Sequence, residues 1–246
     1  MKQIFAFEDL AQMELHKNLT QSMFQKLQPY QLYLQQEFAL KESPKAIIWT
    51  STELATTIFS TVPIPAYTRK DLIYMSPVVE DWKSIFVEQL DGRNLPVIKR
   101  YYEQNTESQM MEILAHELTH HSDLFLEEFD DGNWEEDIWF EEGMCFYLPR
   151  KYLLDEHEFD EISTVERTLV KEFREKYGQH SLSKFGSNTY KGNMTSIMYD
   201  YWRSFLAVNE LVDRFDGDIM AVFDQYHDWY NKGKESTLID YFQIDI

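Results

Sequence analysis

Three of the chain's seven histidines fall inside the short run "AHELTHHSD", and two of them, His116 and His120, stand four apart with Glu117 beside the first. On an α-helix, positions four apart differ by about 400° of rotation and about 6 Å of rise. Both imidazoles then leave one face of the helix and can share a single metal ion. Glu117 lies on the same side of the cylinder but off the line joining the two rings. Its carboxylate can reach a water on the ion without taking a coordination position. The spacing predicts a zinc site with His116 and His120 as ligands and Glu117 as general base.

A catalytic zinc site takes three protein ligands and keeps a fourth position open for water. A third histidine would stand six residues beyond His120, where the chain has Leu126. The other arrangement brings a glutamate from a second helix some twenty residues on, and "IWFEEGMCFY" (138–147) supplies Glu141 and Glu142 there. Gly143 favours Glu142: a glycine inside a helix costs about 1 kcal/mol relative to alanine, so its presence predicts that another backbone, that of the histidine helix, passes close by. Glu141 stays a rival. Two neutral imidazoles and one carboxylate leave the ion with net positive charge, which lowers the pKa of a bound water from about 15.7 to about 7. Glu117 would take the water's proton during attack on a peptide carbonyl and pass it to the leaving amine. A tyrosine hydroxyl aimed at the tetrahedral oxyanion would add about 2–4 kcal/mol of transition-state stabilisation.

"HELTH" followed by "WFEEGMCFY" resembles the gluzincin group of zinc metallopeptidases, in which HExxH is followed by a short W-[LF]-x-E-G signature on the next helix. The resemblance implies His116 and His120 as histidine ligands, Glu117 as general base and Glu142 as third ligand. Positions 121 to 141, 21 residues, separate His120 from Glu142; that is slightly more than is usual, and the turn "FDDGN" can absorb the excess. Thermolysin shares the HELTH string, but the aspartate that follows its ligand glutamate by four residues has no match, because that place holds Phe146. The aminopeptidase-N-like branch is the closer likeness. Downstream, "YDYWRSFLAVNELVDRFDGDIMAVF" resembles the late helix pair of that branch, where a tyrosine donates to the oxyanion. Tyr201 falls nearest that place, with Tyr199 next. The likeness covers about residues 100–230; the first hundred match only in the order of short strands before the active-site helix.

These residues need elements to carry them. Thr106 to Gln109, "TESQ", has the spacing of a capping box, which starts a helix that runs to about residue 126. Further helices are expected at about 134–150, 159–177, 193–215 and 217–231. Upstream, apolar spacing over residues 7–40 predicts one or two helices interrupted at Pro29. "AIIWTS", "ATTIFST" and "PAYTRKDLIYMSP" read as a small sheet with a hairpin near Thr68 to Asp71. "VVEDWKSIFVEQLDG" reads as a helix stopped by Gly92. "LPVIKRYYEQ" fits a strand or a helix start, and 180–193 reads as a polar surface loop. No internal repeat or low-complexity linker breaks the chain.

At 246 residues, with 43% hydrophobic and 15% aromatic residues, the chain can bury one sizeable core, and a single domain over 1–246 is expected. A formal charge of −20 repels phosphate backbones and anionic lipid, which argues against nucleic-acid and membrane partners. The N-terminus carries Glu8, Asp9 and Glu14 where a secretory signal would be apolar, and Cys145, the one cysteine, allows no internal disulfide. A cytoplasmic setting is the default expectation, with export by an unconventional route as the alternative. Among the other candidates, His121 points about 100° away from the ligand face, and Asp123 could orient an imidazole but reads better as solvated. His16, His157, His180 and His227 have no metal spacing, and Cys145 reads as packing. The acidic runs "EEFDDGNWEED" and "DRFDGD" lack the alternation of a calcium loop and read as solvated turns, the first with a helix cap at Asn133. The expectation is an α+β, zincin-like metallopeptidase domain, a small N-terminal sheet before a mainly helical C-terminal half. It would bind zinc and hydrolyse a peptide or protein substrate. The competing readings are a zincin-like metal-binding or interaction module without catalysis, and an acidic interaction protein without metal.

Overall fold

Lys2–Ala6 forms a strand, β1, that its own periodicity does not announce. It exists because Ala46–Thr50 (β2) lies beside it in parallel, Lys2 opposite Ala46 and Ala6 opposite Thr50. Strand propensity here is settled by a partner distant in sequence. The computed structural model describes residues 1–126 and 137–246, which group into two units, Met1–Asp123 and Leu124–Ile246.

In the first unit the crossover from β1 to β2 is one long helix, α1 (Leu10–Glu37). Asp9 caps it by accepting from the Ala11 amide at 2.9 Å, and Pro29 is accommodated inside it rather than dividing it. Ala66–Arg69 (β3) and Leu72–Met75 (β4) make the expected antiparallel hairpin, turning at Lys70 with φ of 52°. β4 pairs in parallel with β2, so the order is β1-β2-β4-β3 with β3 at an edge. "ATTIFST" is not a strand: Leu54–Ile58 forms one wide helical turn. Here Thr56 and Thr57 spend their hydroxyls on the carbonyls of Thr52 and Glu53, a local bond that competes with ladder pairing. Then come α2 (Val79–Glu88), α3 (Pro96–Gln104), which settles "LPVIKRYYEQ" as a helix begun by proline, and α4 (Thr106–Thr119). Ile47, Trp49, Ile73 and Met75 from the sheet and Leu27, Tyr30 and Leu34 from α1 are buried. At about 25 cal/mol per Å² of apolar surface removed from water, such residues dominate the stability of the unit.

In the second unit, α5 (Trp139–Leu153), α6 (Glu156–Tyr177) and α7 (Met194–Arg214) pack together, followed by α8 (Ile219–Asn231) and α9 (Leu238–Phe242). A capping box between Asp155 and Glu158 starts α6. Every residue from Trp139 to Arg150 is buried, so α5 is the core helix. Arg150 makes a 2.7 Å ion pair with Glu166 and lies over the Phe205 ring. Phe140 stacks on Tyr226 and Phe242 and meets Phe223 edge-on. The molecule is thus α+β, with a four-stranded N-terminal sheet and a helical C-terminal half. No helix among the described residues is long and apolar enough to cross a membrane. The run "EEFDDGNWEE", with Asn133 as a cap and "FDDGN" as the absorbing turn, lies outside the described residues.

Candidate metal centre

The helix bearing the histidines does not start as its sequence predicts. Asn105 is the N-cap and makes no side-chain cap bond. Thr106 donates instead to the Tyr102 carbonyl at 2.8 Å, and Gln109 donates to Glu112 at 2.7 Å. The reason is α3, which ends at Gln104 and offers its Tyr102 carbonyl to the Thr106 hydroxyl. α4 is also shorter than expected, ending at Thr119 with His120 as its cap. Ser122 donates to the Phe38 carbonyl at 2.5 Å, and Asp123 accepts from the Lys41 amide at 3.2 Å. The turn after α1 therefore holds the chain where it leaves α4.

At that exit His116 and His120 face each other, their Nε2 atoms 3.1 Å apart. Two imidazole nitrogens on one tetrahedral zinc ion, each about 2.0–2.1 Å from it, sit roughly 3.3 Å apart. The two nitrogens are spaced as a pair that could share one ion. The last carbonyls of α4 add partial negative charge beside the pair, which favours a cation there. The neighbouring turn is braced from within: Thr119 donates to the Ala115 carbonyl at 2.8 Å, so its 2.7 Å contact with Tyr30 of α1 is one in which Tyr30 donates.

Glu117 is buried, and its backbone carbonyl accepts from Thr68 of β3 at 3.0 Å. The single Thr68 proton is spent there, so the 3.2 Å contact between Thr68 Oγ1 and His121 Nε2 has the imidazole as donor. His121 thus ties α4 to β3. Next to Thr68, Tyr67 stacks on Tyr74 at 4.8 Å, and its buried hydroxyl has no hydrogen-bond partner among the described residues. Burial, with the nearby Tyr74 and the Glu117 charge adding to it, pushes the Tyr67 phenol well above its ordinary pKa, so it stays protonated.

The second unit prepares a carboxylate. Glu141 and Glu142 are both buried near the start of α5. Tyr201 of α7 donates to Glu142 Oε1 at 3.3 Å; Tyr190 Oη lies 3.4 Å from the same oxygen, and the two hydroxyls are 2.6 Å apart. Phe146 and Phe185 meet the Tyr201 ring edge-on at 5.8 and 5.0 Å. Phe146 thus packs against the tyrosine. Tyr199 is elsewhere, buried under the Arg203 guanidinium. Gly143 is required by a close approach, but of a different backbone from the one expected: a Cβ there would lie 2.4 Å from the Ser204 carbonyl oxygen of α7.

Tyr190 was out of reach of periodicity, because it sits on a short 3-10 turn, Thr189–Lys191, in the polar segment read as a surface loop. So was the network that holds it. Asp200, buried on α7, accepts from Arg203 at 2.6 Å and from Thr189 at 3.2 Å, and pairs with His180 at 2.9 Å. His180 is therefore not an ordinary surface histidine. Cys145 is buried in α5. No protein-family model, characterised protein or solved structure matches the chain.

Proposed function

We propose that the chain is a zinc-dependent peptidase with a zincin-like fold, in which His116, His120 and Glu142 each give one ligand atom to the ion and Glu117 is the general base. The observation that carries this reading is the pair of Nε2 atoms 3.1 Å apart at the end of α4, joined to the HExxH and E-G spacing of the sequence. A bound zinc ion would supply Lewis acidity, activating water and polarising a carbonyl.

The protein's own groups do the rest. Glu117 holds a water by hydrogen bonding, accepts its proton, and returns that proton to the leaving amine. Tyr201 turns its hydroxyl toward the oxygen on which negative charge develops. β3, at the sheet edge, offers its backbone to an extended peptide by strand addition. The charge of −20 favours encounter with basic segments of a peptide or protein substrate and disfavours nucleic acid and anionic membranes. The single cysteine accords with a reducing, cytoplasmic setting.

A second reading, a metal-binding module without catalysis, has in its favour that Tyr201 is engaged with Glu142. One experiment separates the two: zinc content of the purified chain, with cleavage of a generic peptide library by wild type and by Glu117→Gln. The peptidase reading expects zinc in both proteins and cleavage by the wild type alone. Zinc without wild-type cleavage favours the module; no zinc in either ends both.

A further inference from the structure

We propose that Tyr190 and Tyr201 form one hydrogen-bonded unit that positions the Glu142 carboxylate, with Tyr190 as a positioning residue delivered by the segment that Asp200 anchors. This rests on the reading of Glu142 as a metal ligand.

The proton count carries the first step. Each phenol has one proton, and three oxygens, Tyr190 Oη, Tyr201 Oη and Glu142 Oε1, lie within 2.6 to 3.4 Å of one another. The short contact between the hydroxyls uses one proton, and the other goes to the carboxylate. A donor on one carboxylate oxygen fixes the plane of the group and leaves its second oxygen to face an ion, which is how hydrogen-bonded partners raise the affinity of a ligating side chain. With two hydroxyls in series, either can serve as the terminal donor. Tyr201 can then turn toward an oxyanion while Tyr190 keeps the carboxylate oxygen satisfied.

The second step is how Tyr190 is held. It lies outside every α-helix, so its position depends on tethers. Thr189, its neighbour, donates to Asp200 Oδ2 at 3.2 Å, and His180, at the start of the same segment, pairs with Asp200 Oδ1 at 2.9 Å. Arg203 closes the network through Asp200 at 2.6 Å and the His180 carbonyl at 3.0 Å. Asp200 and Tyr201 are adjacent on α7, so one turn of helix fixes both the anchor of the segment and the hydroxyl that Tyr190 meets. A buried carboxylate with this many donors is costly to disturb. It keeps the tyrosine pair in register.

The test is zinc affinity, measured by competition with a chromophoric chelator, together with the visible spectrum of the cobalt(II)-loaded chain. The proteins are wild type, Tyr190→Phe, Tyr201→Phe, the double variant and Thr189→Val. Tyr190→Phe removes only a hydroxyl from a half-exposed ring, and far-UV circular dichroism checks that the fold is kept. Each single phenylalanine variant is expected to bind zinc about 10- to 100-fold more weakly and to shift the cobalt bands. The double variant should cost little more than one single, because the pair acts as a unit. Thr189→Val should weaken binding by a smaller factor in the same direction. Wild-type affinity and spectrum in both single variants would overturn the inference while leaving the metal site intact. A wild type that binds no zinc would overturn the inference and the proposed function together.

Discussion

The histidine pair and the Glu142 carboxylate are built in opposite ways. The histidine pair is a local product: four residues of one helix set the 3.1 Å separation of its nitrogens, and α1 and β3 brace it through Tyr30 and Thr68. The carboxylate half is a long-range product. Glu142 meets hydroxyls from positions 48 and 59 residues away, and α5 can carry it only because Gly143 admits the backbone of α7. A pair set by local spacing is expected to survive the loss of a single brace. Long-range packing makes one that tolerates no added atom.

The largest effect expected is chemical. Glu117→Gln should reduce peptide turnover about 10²- to 10⁴-fold with zinc content unchanged, as measured by initial rates and elemental analysis. An unchanged rate would remove Glu117 from the chemistry. Gly143→Ala should come next. Its methyl would meet the Ser204 main chain as well as the Val208 side chain, so a loss of about 1–3 kcal/mol or more in urea unfolding is expected. Wild-type stability would show that α5 and α7 can separate, and the contrast between the halves would weaken.

Glu166 offers a pH-dependent test within the same helical unit. Burial holds its carboxyl above the ordinary glutamate range, against the lowering pull of Arg150. The folded state therefore binds this proton more readily than the unfolded chain. Relative to Glu166→Gln, the stability that Glu166 contributes is fully present below its unfolded pKa and is lost as pH rises through the folded value. Paired thermal melts from acid to neutral pH should show the wild type losing ground to the variant; the opposite trend would mean that Arg150 dominates.

The histidine half should respond mildly. Tyr30→Phe removes one donor to Thr119 and should cost about 1 kcal/mol, with zinc affinity nearly unchanged. A collapse of zinc binding would show that the pair depends on distant support after all. The smallest effect is expected at Tyr67, whose hydroxyl is buried without a partner among the described residues. Tyr67→Phe should leave stability unchanged or raise it by up to about 1 kcal/mol, and a fall of that size would contradict the assignment.

The same contrast governs what could be read without coordinates. The facing of His116 and His120, the Thr68 to Asp71 hairpin and most helices follow from period and punctuation, which are properties of adjacent residues. β1 was silent because its partner β2 begins at Ala46. The "TESQ" box does not form because Thr106 donates to a carbonyl of α3 instead. Gly143 announced a close approach but could not name the backbone that makes it. Tyr190, Asp200 and His180 gave no periodic signal, since a short 3-10 turn and a buried carboxylate acquire their roles only from what folds against them.

The proposed site, one ion held by His116, His120 and Glu142, is tested by elemental analysis of zinc per chain in wild type, Glu142→Ala and Glu141→Ala after identical purification. The prediction is one zinc in wild type and in Glu141→Ala, and essentially none in Glu142→Ala. A wild type without zinc would remove the ion from the site, and a Glu142→Ala variant that retains it fully would remove Glu142 from the ligands.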